Sequence, residues 1–182
     1  HMSSIYIAFV DTPGIFASII RAVLKQKYIH VVISMDKALD EAYSFGRRSP
    51  FIPFFAGFEK ENKQKILKKY PTADYMICRV TCSSEQKSAI YAVLQEDYQK
   101  RFRYHYAVLG LPFILLQKPF QQKNCYTCSS YLAQLLENAG IWHWKKHISL
   151  VTPKDFYCDL EKEIIFEGRL HTLCSITQTA AA

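Results

Sequence analysis

The sequence lacks any apolar run of the roughly 18 residues that a helix needs to cross a bilayer. It also lacks the charged segment followed by a short apolar stretch that is typical of a secretory leader. No helix-turn-helix, ribonucleoprotein or zinc-finger pattern lies beside its basic clusters. We therefore expect a cytoplasmic protein with no nucleic-acid partner, although 23 basic residues outnumber 16 acidic ones.

The composition excludes a disordered chain and a small disulfide-stapled fold. Hydrophobic residues make up 49% of the 182 positions and aromatic residues 14%, which is enough for a substantial core without covalent cross-links. Of the six cysteines, Cys78 and Cys82 lie in an apolar, strand-like run, where cysteine commonly serves as a small buried group. We expect a reducing compartment. The opening His1-Met2 is interpreted as the remnant of an expression tag, and residues 3–182 are predicted to form a single domain.

Hydrophobic periodicity predicts an α+β fold. Short apolar runs predict strands at 5–10, 29–35, 42–46, 75–82 and 163–167, and apolar residues at helical spacing predict helices at about 12–26, 83–102, 127–139 and from 152. Thr12 and Pro13 are predicted to supply an N-cap and a first-turn proline. Residues 47–62, which contain Pro53 and Gly57, are predicted to be an irregular aromatic loop.

A pair of cysteines, Cys125 and Cys128, stands in front of the helix predicted at 127–139 and has three interpretations. With His143 and His147 the pair gives C-x2-C-x14-H-x3-H, close to the spacing of a zinc finger, but Gly140 ends the helix before either histidine. A dithiol redox motif also lies at a helix N-terminus, although it usually follows one of the first strands of its domain. The third interpretation is that only one cysteine is functional.

That third interpretation makes Cys128 a nucleophile. Thr127 as the N-cap puts Cys128 in the first helical turn, where unpaired backbone N–H groups and the positive helix end favour a thiolate. The same N–H groups are aimed at the place where an oxyanion would form. The thiolate needs a base from elsewhere in the chain. His30 is the candidate, because it begins a strongly apolar strand; a purely structural histidine is the alternative.

Five segments occur in an order that matches a known family: residues 16–21, 28–34, 43–47, 126–133 and 137–141. The chain resembles the circularly permuted papain-like cysteine hydrolases of the NlpC type (YiiX/YebB-like). In that family the histidine strand precedes the cysteine helix, which reverses the papain order. The resemblance implies an antiparallel sheet packed against helices, with the nucleophile at a helix N-terminus.

Carried over by position, the resemblance implies that Cys128 is the nucleophile and His30 the general base. The family usually adds a polar residue on the strand after the histidine, where it orients the imidazole. Ser44 is predicted for this role, since side chains alternate between the faces of a strand and Ser44 is polar on the face of Ala42. Glu41, at the turn, is the fallback.

The implied reaction is hydrolysis of an amide or isopeptide-like bond through an acyl-enzyme, with Tyr126 and Tyr28 assigned to substrate binding. The partner is a peptide-like or small-molecule amide. One alternative is a lipid or acyl-ester hydrolase or acyltransferase of the same superfamily, in which residues 51–58 would line an acyl pocket. Another is a catalytically weak binding module. We expect no cofactor and no metal, and the sequence says nothing about the oligomeric state.

Overall fold

The computed structural model describes residues 1–49, 52–106 and 114–181. Its main sheet consists of β1 (Met2–Asp11), β2 (His30–Ser34), β3 (Ala42–Ser49), β4 (Ile52–Lys60), β5 (Asp74–Ser83) and β8 (Glu163–Arg169). These six strands pair antiparallel in the order β4-β3-β2-β1-β5-β8. A separate parallel pair joins β6 (His105–Tyr106) to β7 (Cys125–Tyr126).

Helices cover both faces of this sheet. They are α1 (Ile15–Leu24), α2 (Lys63–Lys69), α3 (Ser84–Gln99), α4 (Cys128–Asn138), α5 (Pro153–Cys158) and α6 (Leu170–Ala181). Alternate residues of β1 point to opposite faces, so Phe9 packs in a core with α3 and α4, while Ala8 packs in a second core with α2 and α6. The predicted α+β class, with an antiparallel sheet packed against helices, is confirmed. Within the described ranges, no helix has the length and apolar character that a membrane span requires.

The start of the first helix differs from the prediction. The chain stays in β1 as far as Asp11, and α1 begins at Ile15 with Gly14 as its N-cap, so the predicted cap at Thr12 is wrong. Gly14 has a φ of 135°, a backbone conformation that residues with a Cβ rarely adopt. The chain therefore makes its turn into the helix at the glycine, two residues later than predicted.

The predicted irregular loop at 47–62 is also wrong, because β3 and β4 form an antiparallel hairpin. Pro53 and Gly57 had suggested a break. However, β4 is the edge strand of the sheet, and proline is tolerated on an edge, where a strand has unpaired backbone groups. Gly57 lies opposite Gly46 in this hairpin.

The two predicted caps that matter most for the site region are confirmed. Ser83 caps α3, with Gln86 completing a capping box. Thr127 caps α4, so that Cys128 is the first helical residue. Helix α3 ends at Gln99, three residues earlier than predicted, and is followed by a short 3-10 turn.

Candidate active site

The position of Cys128 is fixed by the cap of α4. The Thr127 hydroxyl accepts a hydrogen bond from the Ser130 N–H at 3.1 Å, and the Ser130 hydroxyl accepts one from the Thr127 N–H at 2.9 Å. The side chains of Thr127, Cys128 and Ser130 are buried, and Cys128 is 4% exposed. The backbone N–H groups of Val31, at the start of β2, and of Ser129 lie near enough to its sulfur to lower the pKa of the thiol. The thiol therefore lies where the helix N-terminus meets the sheet.

Helix α4 is held against the sheet through its one aromatic side chain, Tyr131. The Tyr131 hydroxyl donates to Asp97 of α3 at 2.6 Å, and the Tyr104 hydroxyl donates to the other oxygen of the same carboxylate at 2.8 Å. The Tyr131 ring packs on Phe45 of β3, with centroids 4.8 Å apart. These contacts tie the cysteine helix to β3 and α3, so its first turn has a fixed position over the sheet.

His30 is the first residue of β2, where it pairs with Val10 of β1. Its imidazole faces two groups: Nε2 lies 3.1 Å from Oε1 of Glu61, and the Cys128 thiol lies near enough to the ring to raise the pKa of His30. Since Nε2 is occupied by the carboxylate, Nδ1 is the nitrogen left for the thiol. His30 thus lies between Cys128 and Glu61, and its side chain is 24% exposed, whereas Cys128 is buried.

Glu61, which was not predicted, directly follows β4. The hairpin register puts Glu59 opposite Ser44, and the Glu61 N–H continues it by donating to the Ala42 carbonyl at 2.8 Å. Residues paired across a sheet share a face, so Glu61 lies on the same side as Ser44. The Ser44 hydroxyl donates to the same oxygen of Glu61 that faces His30.

Ser44 therefore does not hold the position predicted for it. The sequence suggested that its hydroxyl would accept the second N–H of the imidazole, but that place is taken by the Glu61 carboxylate. Ser44, which is 2% exposed, acts one step further away by orienting Glu61. The fallback, Glu41, bonds to Tyr43 and Lys60 instead. A carboxylate stabilises a charged imidazole better than a hydroxyl does, because charge-assisted hydrogen bonds are roughly twice as strong.

Each of His30, Cys128 and Glu61 has a pKa that its neighbours shift against the effect of burial. Burial by itself lowers the pKa of His30, but its hydrogen bonds to Cys128 and Glu61 outweigh burial and raise that pKa to about 10. Burial raises the pKa of the Cys128 thiol, yet His30 and the two backbone N–H groups bring it below its ordinary value. The pKa of Glu61 is lowered against the effect of burial by His30 and Ser44. The lowered pKa of the thiol and the raised pKa of the imidazole favour the thiolate–imidazolium form of the pair, beside an ionised Glu61.

The two tyrosines assigned to substrate binding lie in different surroundings. Tyr126 packs its ring among Phe45, Tyr104 and Tyr131, with centroids 5.3 to 6.3 Å apart, and is half-buried. Tyr28 is buried, and its hydroxyl donates to Glu167 at 3.2 Å. It lines a groove whose walls include neither Cys128 nor His30.

The segment predicted to line an acyl pocket, residues 51–58, belongs in its described part to β4. Phe58 is fully buried in the core, with its ring 5.4 Å from that of Phe45 and 4.9 Å from that of Tyr131. It serves the packing of the sheet. Phe51 and the side chains of residues 52–56 lie outside what the structure describes.

The geometry of Cys125 differs from that of a dithiol motif. Cys125 belongs to β7, and Thr127 is extended with φ −87° and ψ 171°. Three extended residues span about 10 Å, whereas a disulfide needs Cα atoms within about 7 Å. All six cysteines are free.

The zinc interpretation of Cys125 and Cys128 requires two histidines that make other contacts. His143 Nδ1 lies 2.7 Å from the Glu137 carboxylate, and His147 Nδ1 lies 2.7 Å from the Ser149 hydroxyl. In the part of the chain that the structure describes, no group of three or more histidine, cysteine, aspartate or glutamate side chains is arranged to hold a metal.

A tight contact behind the imidazole gives a first prediction. A Cβ added at Gly46 would lie 3.1 Å from Cε1 of His30, closer than ordinary van der Waals contact, so Gly46→Ala must push the ring away. A displacement of a few tenths of an ångström should slow alkylation of Cys128 by about threefold to tenfold. Rates are measured by mass spectrometry on protein with an unchanged far-UV circular dichroism spectrum. An unaltered rate of Cys128 alkylation in Gly46→Ala, with unchanged NMR resonances of His30, would contradict the close contact between Gly46 and His30.

The chain matches no family model, no curated protein and no solved structure at a significant level. Its function must therefore be argued from the chemistry of the site, since a fold by itself does not fix a function.

Proposed function

We propose that this chain is a cysteine hydrolase, amidase- or peptidase-like, that cleaves an amide or isopeptide-like bond through an acyl-enzyme. Cys128 is the nucleophile, His30 the general acid and base, and Glu61 the residue that orients the imidazole. One observation carries the proposal: side chains from α4, from β2 and from the residue after β4 lie together, with the His30 imidazole bonded to the Glu61 carboxylate and beside the Cys128 thiol. Nucleophile, base and orienting group in this order are the requirement for nucleophilic catalysis.

The chemistry follows from the charges of the three groups. The Cys128 thiolate attacks the carbonyl carbon, forming the C–S bond and pushing negative charge onto the carbonyl oxygen. The backbone N–H of Cys128, which as the first helical residue has no acceptor within α4, faces that charge. The imidazolium of His30 then gives its proton to the leaving amine as the C–N bond breaks. A water molecule next loses a proton to His30 and attacks the thioester, which releases the acid and restores the thiolate.

We further propose that the architecture is papain-like and circularly permuted, of the NlpC type. Support comes from the chain order, in which the histidine strand precedes the cysteine helix. It also comes from the packing of that helix, by its N-terminus, against an antiparallel sheet. The Glu61 carboxylate, which follows the edge hairpin, is better suited to orient the His30 imidazole than the Ser44 hydroxyl.

Labelling with a thiol-directed activity probe, followed by a panel of amide and ester substrates, tests this function. Alkylation rate follows thiolate fraction as well as access. Burial raises the pKa of Cys78 to about 11 and also raises those of Cys82 and Cys174. At mildly acidic pH a small alkylating reagent should therefore modify Cys128 before the other five cysteines, and His30→Ala should slow that modification about tenfold or more.

The substrate panel separates the remaining possibilities. Turnover of peptide-like amides supports the proposed function, and turnover confined to acyl esters assigns the chain to the lipid-ester alternative. A chain that labels at Cys128 but cleaves nothing fits a catalytically weak binding module. Preferential labelling of Cys125 or Cys158, with Cys128 inert, would overturn the proposal.

A further inference from the structure

A second concave site lies away from Cys128. It is a groove of about 340 Å³ between the loop that follows α1, helix α5 and strand β8, within the size range of small-molecule sites. Met76 and Tyr28 are buried at its base, whereas Tyr157 and Ile164 border it with 50% and 52% of their surfaces exposed. Large apolar side chains that stay exposed around a concavity are characteristic of a binding surface.

More positively than negatively charged side chains line this groove. Three exposed lysines line it, Lys25, Lys27 and Lys154, against a single carboxylate, Glu167. That carboxylate already accepts a hydrogen bond from the Tyr28 hydroxyl at 3.2 Å. The groove therefore presents an excess of positive charge at its rim and an apolar surface inside, and this combination is complementary to a negatively charged molecule with a hydrocarbon body.

The rim is held in place by a contact between the loop and the helix. The Gln26 side-chain carbonyl accepts a hydrogen bond from the Lys154 N–H at 2.7 Å. This bond joins the segment that carries Lys25 and Lys27 to the first turn of α5. The backbone segments that carry the lysines on the two sides of the groove are therefore held together.

We propose that this groove binds a small amphiphilic anion, a hydrocarbon chain with a carboxylate-like head group. The hydrocarbon body packs on Met76, Tyr157 and Ile164, and the head group pairs with Lys27 and Lys154. None of Cys128, His30 and Glu61 lines the groove, so this inference stands independently of the proposed hydrolase function.

Calorimetric titration of the full chain with decanoate tests the proposal. Acetate has the head group without the hydrocarbon chain, and decyltrimethylammonium has a similar chain with the opposite charge. We expect decanoate to bind at least tenfold more tightly than either compound. Equal binding of all three, or binding of the cation in preference to decanoate, would overturn the proposal.

Variants locate the binding in the groove. The double variant Lys27→Glu/Lys154→Glu should weaken decanoate binding about tenfold or more, and Ile164→Asp should do the same through the hydrocarbon chain. Lys68→Glu, an exposed lysine of α2 on the other face of the sheet, is the matched control and should leave binding unchanged. Decanoate affinity that survives both groove variants, in protein with a native circular dichroism spectrum, would rule the groove out.

Cys158 provides a readout that needs no catalytic activity. Its side chain is exposed and lines the groove, so bound decanoate should slow its alkylation severalfold while leaving Cys125 unaffected. Equal alkylation rates of Cys158 with and without saturating decanoate would contradict occupation of this site.

Discussion

Replacing Cys128 with alanine is expected to abolish the turnover of any amide or ester that the wild-type chain cleaves, by at least about four orders of magnitude. The sulfur is the atom that forms the acyl-enzyme, and no other group at the site can replace it. His30→Ala should produce a loss of similar size, because the thiolate then lacks its ion-pair partner and the leaving amine lacks its acid. Steady-state assays with the best substrate of the panel measure both effects.

Cys125→Ala is the matched control, since it removes a thiol three residues away that is half-buried and free. It should keep nearly full activity. Melting curves must show that the Cys128→Ala protein remains folded, because the substitution trims a buried side chain. Activity that persists in Cys128→Ala but disappears in Cys125→Ala would show that Cys125 is the nucleophile and refute the assignment of Cys128.

The second large effect is expected at Glu61. Glu61→Gln keeps the shape and hydrogen-bonding capacity of the side chain but removes its charge, so the imidazolium of His30 loses stabilisation. We expect kcat/KM to fall about 10- to 100-fold, equivalent to about 1.4 to 2.8 kcal/mol. The pH profile should also narrow. The pKa of His30 falls from about 10, which moves the alkaline limb to lower pH, while the acidic limb, at which His30 is still protonated, should not move to higher pH.

Ser44→Ala and Glu41→Ala distinguish this account of Glu61 from the roles first predicted on sequence grounds. Ser44 reaches the imidazole only through Glu61, so its loss should lower kcat/KM by no more than severalfold and shift the alkaline limb in the same direction, but less. Glu41 bonds to Tyr43 and Lys60, and its loss should leave the pH profile unchanged. A Ser44→Ala effect larger than that of Glu61→Gln would restore the serine as the orienting residue.

Cys128 and His30 were predictable because their signals are local. A capping threonine before an apolar helical run places Cys128 in the first turn, and a histidine at the start of an apolar β-branched run is placed at a strand end. The structure has strand β2 and helix α4 at the positions that the hydrophobic periodicity predicted. The sequence by itself could not show that the start of β2 and the start of α4 lie next to each other, because this depends on how α4 packs across the sheet.

Glu61 was missed because its signal is not local. It becomes a neighbour of His30 only through the β3–β4 hairpin, and Pro53 and Gly57 argue locally against a strand there. The alternation of Phe58 and Lys60 with Glu59 and Glu61 was the available clue, because it puts the two acids on one face. That clue has meaning only once β4 is recognised as an edge strand, where a proline is tolerated.

Helices α2 and α6 were missed for a related reason. Helix α2 is short and rich in lysine, and its partly buried Ile66 and Leu67 pack against the second core only after the sheet has formed. Helix α6 follows β8 directly, and the one break residue near the junction, Gly168 with a φ of 157°, lies inside the end of β8. In both cases tertiary packing, rather than the local pattern, determines the helix.

The ionised Cys128–His30 pair is tested most directly by titrating the ultraviolet absorbance of the thiolate against pH, in wild-type protein and in Cys128→Ser. We expect a thiolate signal that is present at neutral pH in the wild type, absent in Cys128→Ser, and lost only as the solution is acidified. The same signal should move to higher pH in His30→Ala, because the imidazolium holds the pKa of the thiol below its ordinary value. A wild-type protein without thiolate absorbance at neutral pH, or with a titration unchanged by His30→Ala, would contradict the ion pair and the catalytic role that depends on it.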